Sequence, residues 1–106
     1  MSTFRVTNDG SGMLFLEGFA EVDEVGAIRD QLIAQVKALP LTEIELDISK
    51  LEARGTAGVA LLIATLRDAS REAKTIVFIH PSEHVHRVAV TCGVSEMLGF
   101  PLSPLV

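Results

Sequence analysis

The sequence predicts an α/β fold: a mixed sheet of four to five strands with helices mainly packed on one face. Three observations carry this. Residues 42–49, TEIELDIS, alternate apolar and polar side chains. Residues 22–39 and 57–73 repeat apolar side chains at spacings of three and four. The segments run strand, strand, helix, strand, helix, strand, helix, an order that favours right-handed crossovers between neighbouring parallel strands.

Each element has a local reason. Residues 4–18, FRVTNDGSGMLFLEG, read as two strands around a turn, because Asn8, Asp9 and Gly10 tolerate positive φ. This opening hairpin makes the sheet mixed. Val25, Ile28, Leu32, Val36 and Leu39 form one apolar stripe on a helix that Pro40 stops. The acidic run Glu21, Asp23 and Glu24 complements the helix dipole at one end, and Lys37 does so at the other. In TEIELDIS, Ile44, Leu46 and Ile48 point one way and Glu43, Glu45 and Asp47 the other. A parallel strand covered on both faces would be apolar throughout, so one face is expected to stay open. KTIVFIHP is a further strand. SEHVHRVAVTC is a short helix, with Ser82 as its N-cap and Gly93 as its stop. Ser95 caps one more turn, and the proline-bearing tail adds at most an edge strand.

Composition narrows the function. The 106 residues are expected to form one domain, 1–106, large enough to fold without disulfide or metal. A net charge of −5 and the near-absence of aromatic platforms argue against nucleic acid. The one cysteine, Cys92, is expected to be a small buried apolar residue in a reducing compartment. No leader pattern or membrane span is evident, so the expected location is the cytoplasm, without membrane insertion.

The most informative stretch is Gly55-Thr56-Ala57-Gly58 and the helix behind it. Gly55 and Gly58 permit a tight strand-to-helix turn, and Thr56 is a natural N-cap. At about 100° per residue, Val59, Leu62, Ile63, Leu66 and Ala73 form the expected core stripe. Ala57, Leu61 and Ala64 then fall on the opposite side, with Ala60 at its flank. Such small side chains let a partner backbone approach, although isolated exposed apolar residues are ordinary. The helix N-terminus could also hold an anion, but no Gly-Lys-Thr step follows, so the nucleotide signal is weak.

The run from Glu45 to Phe100 resembles the STAS domain of bacterial anti-sigma-factor antagonists and their relatives. Asp47-Ile48-Ser49 matches the family's Asp-Leu-Ser strand end. Gly55-Thr56-Ala57-Gly58-Val59 occupies its Asp-Ser-Ser-Gly-Leu motif, and Cys92-Gly93-Val94 a later Thr-Gly-Leu-like step. The resemblance implies partner contacts at the start of the helix over 56–73. In phospho-switched members the second hydroxyl of the motif accepts phosphate from a partner serine kinase. Ala57 stands there in this chain, and Gly55 replaces the motif's Asp. Thr56 keeps the one hydroxyl and is the only phosphorylation candidate. The Thr-Ala-Gly step also resembles the STAS subunit of bacterial phospholipid-transport ABC systems, which docks on an ATPase.

Other residues point nowhere sharper. His84 and His86 lie two apart on a helix and face different ways, and His80 precedes it, so no metal ligand set is expected. Ser49 and Ser70 have no identifiable base. The sequence therefore predicts a non-enzymatic interaction module without cofactor, resembling an anti-sigma-factor antagonist. Its partner-binding residues would be Gly55, Thr56, Ala57, Gly58, Ala60, Leu61 and Ala64. Its partner would be an anti-sigma factor or serine kinase, or in the alternative an ABC ATPase. A small-ligand or nucleotide sensor is the third reading.

Overall fold

A computed structural model describes residues 4–9, 12–20, 22–53 and 56–100. Four strands form one sheet: β1 (Phe4–Asn8), β2 (Met13–Ala20), β3 (Glu43–Ala53) and β4 (Thr75–Ile79), in spatial order β1-β2-β3-β4. β1 and β2 pair antiparallel, while β2–β3 and β3–β4 are parallel, so the sheet is mixed as the opening hairpin predicts. Gly12 has a φ of +97°, and Leu41 occupies the space a side chain there would need. The proposed edge strand of the tail, residues 101–106, lies outside the described residues.

Three helices follow the strands: α1 (Val25–Ala38), α2 (Ala57–Arg71) and α3 (Glu83–Thr91). Val22–Glu24 forms a single 3-10 turn ahead of α1, with Asp23 and Glu24 in it; Glu21 is outside the described residues. α1 ends one residue before Leu39, and Lys74 reaches across to its last turn. The Lys74 ammonium donates to the carbonyls of Val36, at 2.7 Å, and Leu39. The Val36 carbonyl also accepts the Leu39 N–H at 3.3 Å, so the ammonium adds a second donor at a helix end where carbonyls lack their i+4 partners. Ser82 caps α3 as expected, accepting from the Val85 N–H at 3.4 Å. Its hydroxyl also donates to the Leu51 carbonyl at 3.0 Å, which fastens α3 to β3. Gly93, with φ +75°, ends α3. Ser95 is buried, and the turn it opens closes through the Phe100 N–H donating to its carbonyl at 2.7 Å.

The core lies on one face of the sheet. Leu14, Leu16, Ile44, Leu46, Ile48, Ile76 and Phe78 project into it from the strands. Ile28, Leu32 and Val36 of α1 meet them, as do Val59, Leu61 and Leu62 of α2. Each large aliphatic side chain buried there contributes roughly 1.5–3 kcal/mol before entropy is counted. Alternation along β3 is broken once. Phe15 faces Asp47, but Glu17 faces Lys50, so Ile48 and Ser49 together oppose Leu16 in a β-bulge. The bulge lets Leu51, three residues after Ile48, return to the core.

Candidate functional site

The start of α2 is where the sequence places partner contacts. It emerges from β3, and the Ala60 N–H closes the first turn onto the Thr56 carbonyl at 2.9 Å. Thr56 stands at the N-cap position with φ −94° and ψ 3°, but its side chain makes no capping hydrogen bond, contrary to expectation. Gly55 lies outside the described residues.

The faces of α2 differ from the predicted wheel. Ala57, Gly58, Val59, Leu61, Leu62, Thr65 and Ala69 are buried. Leu61 is 0% exposed and Ala57 4%, so neither side chain lies on an open surface. Gly58 is buried with them. Ile63 and Leu66 are half-buried and pack at the core margin, and Ala73 is exposed with φ +58°. The reason is neighbours: α2 touches α1, α3, β3 and β4, so its inner face spans about 200° rather than one stripe. That face is centred on Gly58 and Thr65. The Thr65 hydroxyl donates to the Leu61 carbonyl at 2.8 Å, which makes a polar side chain tolerable at 0% exposure.

What remains outside is narrower than predicted. Thr56, Ala60 and Arg67 are exposed, and Ala64 is half-buried. With the edge of Ile63 they form a strip running up the outer side of α2. Three of the predicted contact residues, Thr56, Ala60 and Ala64, thus share an accessible surface. Arg67 was not foreseen there, although its spacing from Ala60 and Ala64 places it on the same side. Where α2 faces α1 its C-terminal half carries charge, with Asp68 3.1 Å from Arg29 and Glu72 3.3 Å from Lys37.

His84 is exposed, whereas His86 is 1% exposed and packs edge-on to Phe100, ring centroids 5.6 Å apart. His80 Nδ1 is 3.6 Å from Asp47 Oδ2. The Ser49 hydroxyl donates to Asp47 Oδ1 at 2.7 Å, so the carboxylate holds the bulge. No group of three or more His, Cys, Asp or Glu among the described residues could hold a metal ion. Cys92 is exposed rather than buried, although it follows Ala89 by three and Val85 by seven residues and so continues the inner face of α3 as its C-cap. No helix of the described residues is long and apolar enough to cross a membrane.

Comparison with known proteins agrees with this architecture. The structure of the anti-sigma factor antagonist SpoIIAA in its unphosphorylated form superposes with a TM-score of 0.63 at 20% identity, covering 88% of this chain and 83% of that one. The structure of the Bacillus cell fate determinant SpoIIAA in the phosphorylated form gives 0.60 at 18% identity, covering 88% and 86%. These likenesses speak for a shared fold. No curated protein matches significantly by sequence. The family described as "Mlab, STAS domain" matches residues 4–99, and the chain belongs to this STAS domain family.

Proposed function

We propose that this chain is a non-enzymatic docking module that meets a protein partner along the outer strip of α2. The observation that carries the reading is the contrast on that helix: Leu61 and Ala57 anchor it inward while Thr56, Ala60 and Ala64 present small side chains outward. A rigidly seated helix with a low outer profile suits close packing by a partner backbone. The Thr56-Ala57-Gly58 step and the Mlab description of the family favour a soluble subunit of a phospholipid-transport ABC system, docked on its ATPase.

A second reading is an anti-sigma-factor-antagonist-like regulator. It draws on the fold shared with SpoIIAA and on Asp47-Ile48-Ser49. In either case Ala57, at the usual acceptor position, has no hydroxyl to phosphorylate, so docking would not be switched there. The partners separate the readings. Ala60→Glu and Ala64→Glu are titrated against the ABC ATPase and against the serine-kinase anti-sigma factor of the same cell. The expected outcome is binding of the unsubstituted chain to the ATPase and at least about tenfold weaker binding of both variants, from steric clash and an unpaired charge. Unchanged affinity would remove the α2 strip from the contact. Binding to the kinase alone would favour the second reading, and stoichiometric phosphate on Thr56 by intact mass would restore a switch.

A further inference from the structure

The sheet has a second face, and no helix among the described residues packs on it. The strand registers define it. Thr7, Phe15, Asp47 and Ile79 form one cross-strand row, Met13, Glu45 and Val77 the next, and Glu43 with Thr75 a third. Val77 is 37% exposed, and Glu43, Glu45 and Thr75 are exposed beside it. Acidic side chains thus run down the central strand between apolar ones on its neighbours.

The charge on this face is uneven. Beyond the bulge, Glu17 lies opposite Lys50, and Arg5 is 4.0 Å from Glu17, so two cations meet one carboxylate at that corner. The Glu43 and Glu45 carboxylates have no cation in their own rows and form no ion pair among the described residues. Between the two regions is a depression of about 270 Å³ lined by Thr7, Phe15, Glu17, Asp47, Ser49 and Lys50.

We infer that this open sheet face is a second docking surface, separate from the α2 strip, which takes a basic amphipathic segment of a partner protein. Apolar side chains of that segment would lie on Val77, Met13 and Phe15, and its lysines or arginines would meet Glu43 and Glu45. Dimension supports one segment rather than a whole domain. Four strands at ~4.8 Å spacing make a face less than ~20 Å wide, enough for one helix of ~10–12 Å diameter. Charge selects the occupant. A second copy would set like carboxylate rows against each other on a chain of net charge −5. The chain's own residues 101–106, PLSPLV, offer no basic side chain. An anionic lipid surface would meet the Glu43 and Glu45 carboxylates with charge of the same sign.

The test uses the full chain, isotope-labelled for NMR, and two synthetic peptides of equal length and helical apolar spacing. One bears leucine and lysine, the other leucine and glutamate. The lysine peptide is expected to shift amides of β3 and β4 around Glu45 and Val77, with affinity that falls as salt rises. Glu43→Gln with Glu45→Gln should weaken it at least about tenfold, and Val77→Ser should weaken it further. Asp30→Asn, exposed on α1 across the sheet, should leave it unchanged. The proposal is overturned if the shifts centre elsewhere, if the double variant binds as well as the parent, or if the glutamate peptide binds equally. It is also overturned if sedimentation shows a dimer that the same substitutions disperse, since the occupant is then a second copy.

Discussion

α1 and α2 have nearly the same length, 14 and 15 residues, yet α1 buries three of its residues and α2 seven. α1 lies at the side of the layer, with Ile28, Leu32 and Val36 inward and solvent on most of the rest. α2 lies in the middle, between α1 and α3 and over β3 and β4. A flanking helix needs only a stripe. A central helix needs most of its circumference, and the strip it leaves to solvent is set by its neighbours rather than by its own periodicity. The helix proposed to meet the partner is therefore also the one most deeply built into the fold.

The contrast is sharpest at adjacent residues of α2. Leu61→Asp puts a charge into the core and should unfold the domain, a loss above ~4 kcal/mol in chemical denaturation. A folded Leu61→Asp protein would mean that α2 is rotated from the position described. Leu32→Ala on α1 should cost roughly 2–5 kcal/mol by the same measurement, because even a narrow stripe is fully buried where it meets the sheet. Lys74→Met tests the link between the helices. Losing the donor to the Val36 and Leu39 carbonyls should cost about 1 kcal/mol, and hydrogen exchange should rise in the last turn of α1 and not in α2. Thr65→Val keeps the shape of the side chain and removes only a hydroxyl bonded within its own helix, so the change should stay under about 1 kcal/mol. Smallest of all, Ala60→Glu should stay within about 0.5 kcal/mol, beside the residue whose substitution has the largest effect.

The same contrast explains what could be read in advance. The strand order, the hairpin, the Ser82 cap and the inward set Ile44, Leu46 and Ile48 were legible, because alternation and local capping depend on near neighbours in the chain. So was the single stripe of α1. The orientation of α2 was not. Its inner face is centred on Gly58 and Thr65, one without a side chain and one polar, so a search for apolar periodicity settles on Val59 instead. What makes Thr65 compatible with burial is its bond to the Leu61 carbonyl, a feature of the folded helix that residue type does not announce. For the candidate site, Thr56, Ala60 and Ala64 could be identified as accessible, while Leu61 and Ala57 were placed on the wrong side by the same error of phase. Cys92 was misjudged for a related reason: periodicity groups it with Val85 and Ala89 on the inner face of α3, yet at the C-cap it is exposed.

The bulge at Ile48 and Ser49 bears on how this chain can vary in length. In a regular strand, losing or gaining one residue reverses every side chain beyond the change, exchanging inside for outside. Here the reversal has already been taken up: β3 carries one residue more than β2 across this interval, and the Asp47 carboxylate holds the surplus through the Ser49 N–H and hydroxyl. Removal of Ser49 would erase the bulge and keep the pattern: Lys50 would follow Ile48 directly and point outward, and Leu51, two residues on, would still point into the core. Loss of a residue between Ile44 and Ile48 has no such outlet and would send the side chains beyond it to the opposite face. Natural length variants of β3 should therefore change at the bulge and not in the alternating stretch before it.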